Sequence, residues 1–160
     1  MARVSWVVKS GKRLYGRVLG TYAYLVVIDL GTGQGMCTCP RGGNCKHVMA
    51  VLWEYERGNY IEADANLITA EAEVWRFAAE NREFGKEIIL REIGHALKTD
   101  ESGSRVGELF LKALEMLDGD ETFRLRLSML FEEFERIFYD HAITGIIASR
   151  LRGSPEGSSP

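Results

Sequence analysis

All three cysteines of the chain fall inside one short stretch, "MCTCPRGGNCKHVM", Met36 to Met49, together with one of its three histidines. Cys37, Cys39, Cys45 and His47 run as C-x-C-x5-C-x-H. Three thiolates and one imidazole are a full tetrahedral set for zinc with no position left open for water, so the chemistry predicted is structural Zn2+ binding. Two rivals use the same residue types. A redox pair favours C-x-x-C at a helix start, whereas a C-x-C bridge is strained. A nucleophilic cysteine needs a base, and only His95 and His141 remain elsewhere in the chain. Cysteines buried without a metal are the third alternative.

The spacing dictates what must hold these groups. Residues i and i+2 at a strand end share one side, so Cys37 and Cys39 can face one point. Within a helix, residues two apart lie about 200° around the axis, so Cys45 must stand at or before the first turn with His47 just inside it. Pro40, Gly42, Gly43 and Asn44 supply the reversal between the pairs. Zinc with three thiolates carries a net charge of about −1. Arg41 and Lys46 stand beside it to offset that charge, and the helix N-terminus is expected to donate N–H groups to the sulfurs.

Val4 to Leu30 reads with period two and is rich in Val, Tyr and Trp, which predicts a meander of three antiparallel strands; "GTGQG" then turns the chain into the cysteine segment. Val48, Val51, Leu52 and Tyr55 fall at helical spacing, predicting a helix from Lys46 to Arg57 that stops at Gly58-Asn59. Further on, Thr69 is placed to cap a long helix ending near Lys98, and Ser104 a second carrying Val106, Leu109, Phe110, Ala113, Leu114 and Leu117. A third holds Phe123, Leu127, Leu130, Phe131, Phe134 and Phe138 and continues through "HAITGIIASRL". The fold class is α+β. A β-meander-plus-helix zinc finger occupies residues 1–60, a three-helix bundle residues 61–151, and a disordered tail residues 152–160, where nothing apolar asks for burial.

Short strands followed by "CTCP" and by "CKHVMAV" opening a helix resemble the SWIM zinc finger over residues 1 to 58. The resemblance implies that Cys37, Cys39, Cys45 and His47 are the zinc ligands. SWIM modules occur in helicases, transposases, kinases and small recombination accessory proteins, as DNA- or protein-binding elements. No G-x-x-x-x-G-K-[ST], kinase signature or catalytic acidic triad is present, "SGKRLYG" failing the first, so the resemblance narrows to the accessory proteins, which work with a recombinase paralogue.

Charge sharpens the expectation. Residues 1–60 hold eight Lys/Arg against three Asp/Glu and residues 61–160 twelve against twenty, making the ends about +5 and −8 although the net charge is −3. Lys9, Lys12, Arg13, Arg17, Arg41 and Lys46 are the candidate phosphate contacts. Trp6, Tyr15, Tyr22 and Tyr24 alternate with them and either stack on bases or build a strand core. Met49 and Trp53 lie off the helix stripe and are expected to dock the finger on the bundle or on a partner. Glu92 and His95 form a lone E-x-x-H, too little for a di-iron site, and His141 reads as a local contact. With no apolar run of about 18 residues and no signal peptide, a soluble intracellular protein, cytoplasmic or nuclear, is expected, without membrane or small-molecule substrate. The reading is a non-enzymatic zinc accessory protein that binds DNA, a protein partner or both in recombination or repair. A pure protein adaptor is the alternative.

Overall fold

A computed structural model of the chain describes residues 3–152, which form two compact units divided between Asn81 and Arg82. The first contains β1 (Arg3–Ser10), β2 (Arg13–Leu19), β3 (Ala23–Asp29), β4 (Gly35–Cys37), α1 (Lys46–Glu56), β5 (Ile61–Glu62) and α2 (Ala70–Glu80). Its sheet is ordered β4-β3-β2-β1-β5, an antiparallel meander to which β5 adds a parallel edge with Ile61 opposite Val8. The three expected strands are therefore extended at both edges. Residues 61–80, assigned by sequence to the helical region, lie within the sheet unit: β5 pairs with β1, Ala65 N–H donates to Ser10 Oγ, and α2 packs against β1.

The α1 helix packs on one face of the meander because two glycines let it come close. A Cβ at Gly16 would lie 2.6 Å from Val51 Cγ2, and one at Gly35 2.5 Å from Val48 Cγ1. Val7, Leu14, Val18, Val26 and Ile28 fill the sheet side of this core. Each such aliphatic contributes roughly 1.5–3 kcal/mol by leaving water. The helix stops where its sequence says: Gly58 takes the left-handed conformation at φ +81°, and its N–H and that of Asn59 bond back to Tyr55 and Glu54 carbonyls.

Two caps and two helices differ from expectation. Thr69 makes no capping bond to α2; Asn66 Oδ1 instead accepts from the N–H groups of Ile68 and Thr69, so an Asx turn sets the entry. The long helix predicted from Thr69 to Lys98 is two helices, α2 and α3 (Arg82–Thr99), broken at Asn81, whose Nδ2 donates to the Phe77 carbonyl and whose backbone leaves the helical region.

The second unit holds α3, α4 (Ser104–Leu114), α5 (Glu121–Ile137) and α6 (Thr144–Arg152). Ser104 is inside α4 rather than its cap; Gly103, at φ +81°, precedes it, and Asp100 Oδ2 accepts from Val106 N–H. The third predicted helix does not run on: α5 ends at Ile137 and α6 restarts after a turn, so the expected three helices become four in this unit alone. Phe110, Phe131 and Phe134 pack with ring centroids 5.4–6.0 Å apart at the centre, with Ile88, Ile89, Ile93, Leu127 and Ile147 fully buried around them. Lys86, buried beneath Glu83, Asp118 and Asp120 at 3.0–3.3 Å, ties α3 to the start of α5, where Asp120 caps Phe123 N–H. The predicted tail lies outside the described residues except for Arg152. Among the described residues no helix is long and apolar enough to cross a membrane.

Candidate metal centre

β4 delivers Cys37 as its last residue, and Cys39 follows on the same side, its N–H 3.4 Å from Cys37 Sγ. The "PRGGN" reversal then folds tightly: Gly42 N–H donates to the Cys39 carbonyl and Cys37 N–H to the Gly42 carbonyl. Gly42 and Asn44 both sit at positive φ, and a Cβ at Gly43 would lie 2.6 Å from the Gly35 carbonyl oxygen. Only glycine fits there. Cys45 occupies the N-cap of α1 in extended conformation, φ −121° and ψ 174°, and His47 lies in the first turn, as their two-residue spacing requires.

The four ligand atoms lie within 4.8 Å of one another, and all four residues are buried. His47 Nδ1 is 3.7 Å from Cys37 Sγ and 3.8 Å from Cys45 Sγ. Tetrahedral zinc with bonds of about 2.3 Å to sulfur and 2.0–2.1 Å to nitrogen spaces such atoms roughly 3.5–3.8 Å apart. The donor set therefore fits zinc in both type and geometry, and it leaves no ligand position for a reacting molecule.

Electrostatics divide the thiols. Burial, with the neighbouring sulfurs, pushes Cys37 up to about 12. Burial opposes ionisation of Cys39 as well, yet His47 and the backbone N–H groups of Arg41 and Gly42 bring it down to about 6. The amides that favour the Cys39 thiolate come from the reversal rather than from the helix N-terminus. Because the metal needs thiolates, its affinity falls as pH drops.

Sequence reasoning missed the groups that support the ligands. Tyr24 stacks on His47 with centroids 4.3 Å apart and planes 28° apart, fixing the imidazole. Thr38 clamps the reversal to β3, its N–H donating to the Leu25 carbonyl and its Oγ1 accepting from Leu25 N–H. The alternation that made Tyr24 a candidate for base stacking gave no hint of this role. Trp6 and Tyr15 are buried at 4% and 6% exposure, so they belong to the core and cannot stack on bases; Tyr22 is 67% exposed.

The candidate phosphate contacts are not gathered. Arg41 and Lys46 are exposed beside the metal centre. Lys12 and Arg13 are exposed at the start of β2, whereas Cys37 pairs through Val26 with the level of Gly16 in the middle of that strand. Arg17 stands opposite Trp6 on the sheet face away from α1, and Lys9 pairs with Glu62 at 3.8 Å. Met49 and Trp53, expected to dock, are 61% and 64% exposed on α1. In the second unit Glu92 of α3 is buried and pairs with Arg105 of α4, while His141 Nδ1 accepts from Ile143 N–H, a local contact.

A meander, a glycine-bent knuckle and a helix closing on three cysteines and one histidine define a structural zinc finger. Residues 24–56 match the family model of the SWIM zinc finger, and this segment of the chain is a SWIM zinc finger, a binding module. A 62-residue segment is 39% identical to the uncharacterized protein MJ1493 of Methanocaldococcus jannaschii; it covers 38% of this chain and 27% of that protein. No solved structure matches the chain.

Proposed function

We propose that this chain is an accessory protein of DNA recombination or repair that works by binding, and that its zinc holds a docking surface for a protein partner. The observation that carries the reading is the contrast at α1: its inner face closes a full, buried ligand set, while its outer face, growing from the same ligands, exposes Met49 and Trp53. A finger built only for stability has no use for an exposed Trp and Met side by side. The link to recombination rests on the likeness to the SWIM accessory proteins, for which a recombinase paralogue is the expected partner. Capture of partners from the native cell tests it: wild-type chain should retain a stoichiometric protein that Cys45→Ser loses. Failure of wild type to retain any protein would overturn the reading.

A second reading, direct DNA contact by the finger, is supported by exposed Lys12, Arg13, Arg41 and Lys46. Against it, residues 61–81 bring five acidic residues into the first unit, so residues 1–81 carry nine Lys/Arg and eight Asp/Glu, about +1 rather than +5. Any such contact is weak, indifferent to base sequence and steeply salt-dependent. Binding of a labelled duplex at low salt that Lys12→Glu/Arg13→Glu abolishes would favour this reading.

A further inference from the structure

An imidazole can take a metal through either ring nitrogen, and the surroundings of His47 give its two nitrogens different tasks. Nδ1 is the one beside the sulfurs, 3.7 Å from Cys37 Sγ and 3.8 Å from Cys45 Sγ. Nε2 lies against the turn between β2 and β3, where a Cβ at Gly20 would stand 3.7 Å from it. Tyr24, the second residue of β3, covers the face of the ring, with centroids 4.3 Å apart and planes 28° apart. Tyr24 is itself held on several sides. It pairs with Val18 of β2, Tyr22 meets its ring edge-on at 6.5 Å, and the same Cβ at Gly20 would come within 3.2 Å of its Cε2. The turn is closed by Gly20 N–H donating to the Tyr22 carbonyl. A glycine thus lies under both rings at once, and a side chain there would crowd them.

We infer that His47 takes zinc through Nδ1, and that Tyr24 and Gly20 are the positioning residues that hold the ring in that orientation. The inference goes beyond the docking role proposed above and does not depend on it. The C-x-H spacing supplies the first reason. Cys45 at the N-cap and His47 in the first turn bring a short thiolate arm and a ring to one point close to the start of α1. Nδ1 is one bond nearer the backbone than Nε2, so it suits a metal held that close. The second reason is the seat itself, because a ring turned to offer Nε2 gives up its place against Gly20. With Nδ1 on the metal, the ring proton sits on Nε2, on the side of the turn. The site then has three arms: the knuckle after β4, the start of α1, and a β2–β3 turn that contributes no ligand but sets the orientation of one.

The test is nuclear magnetic resonance of the zinc-loaded full chain with 15N-labelled histidine, in which long-range proton–nitrogen correlations distinguish the metal-bound ring nitrogen from the protonated one. Wild type should show His47 with a metal-bound Nδ1 and a protonated Nε2. The reverse assignment overturns the inference, as does a wild-type chain that takes up no zinc. Tyr24→Leu removes the stacking plane; it should lower zinc affinity by about 10- to 100-fold in chelator competition and broaden or double the His47 ring signals. Tyr24→Phe restores the plane and should keep both the affinity and the single set of signals. Tyr24→Leu behaving as wild type, or Tyr24→Phe failing as badly as Tyr24→Leu, overturns the role given to the ring. Should Tyr24→Leu not fold, Gly20→Ala crowds Tyr24 without removing it and should shift the same His47 signals; unchanged signals in that variant overturn the role given to the turn.

Discussion

The two units of this chain reach a folded state by different means. The helical unit buries three phenylalanines at one centre and satisfies its one buried lysine with three carboxylates, so its stability comes from ordinary packing and pairing. The finger stacks an eleven-residue helix on a sheet through glycine-thinned contacts, and its most crowded corner is made of three cysteines and a histidine. Left without metal, that corner is a set of buried polar groups facing each other; with zinc it becomes the strongest joint in the unit. One unit is held by side-chain volume, and the other by an ion.

The largest expected effect breaks that comparison directly. Zinc in small fingers is worth on the order of 10 kcal/mol, so chelation should strip hydrogen-exchange protection from β4 and α1 while α3, α4 and α5 keep theirs. Simultaneous loss from all helices would make the two units one cooperative body. The mirror experiment is Phe131→Ala, which empties the middle of the aromatic cluster and should cost about 3–5 kcal/mol of the helical unit's stability. Zinc content measured on the same variant should not change.

Within the finger, Gly43→Ala forces a Cβ onto the Gly35 carbonyl oxygen and should destabilise the reversal by about 1–3 kcal/mol. Competition with a chromophoric chelator should show zinc affinity falling about 10- to 100-fold, the range seen when groups supporting metal ligands are altered. Unchanged affinity would mean the reversal does not set the site. The smallest effect concerns charge in the helical unit. Lys86→Met leaves three carboxylates without their shared cation and should cost about 1–2 kcal/mol, little because the carboxylates are partly exposed.

The pH dependence has a definite sign. Hydrogen bonds from Lys86 and the Asp120 N–H hold Asp118 below the usual carboxylate range, and the Phe123 N–H does the same for Asp120. Their contribution is full above the unfolded carboxylate value near pH 4 and is lost as pH falls through the lower folded values. Lys86 is raised despite its burial by Asp118, Glu83 and Asp120; its contribution is full below about pH 10 and fades only above it. Acid titration by circular dichroism should therefore show a less steep loss of helix in Lys86→Met.

How much of this was legible depends on the range of the interactions. The clustered ligand set, the place of Cys45 just ahead of the first turn, the helix start at Lys46 and the Gly58 stop all follow from local geometry, and all appear in the fold. The break at Asn81 was hidden, because apolar residues continue at helical spacing across it and only burial tells the two stripes apart. The pairing of Ile61–Glu62 with β1 joins residues more than fifty positions apart through two residues that carry no strand pattern. Charge misled for the same reason: a tally by sequence put the acidic residues of β5 and α2 with the helices, while the fold puts them in the sheet unit. Tyr24 was seen as an aromatic on a strand, but its partner, His47, comes from an element 23 positions on.

The central claim is that Cys37, Cys39, Cys45 and His47 form one closed zinc site. Elemental analysis of protein purified without added metal tests it most directly, on wild type and on Cys45→Ser in parallel. One zinc per wild-type chain, lost in the variant, is the predicted result; folded wild-type protein with no zinc would contradict it.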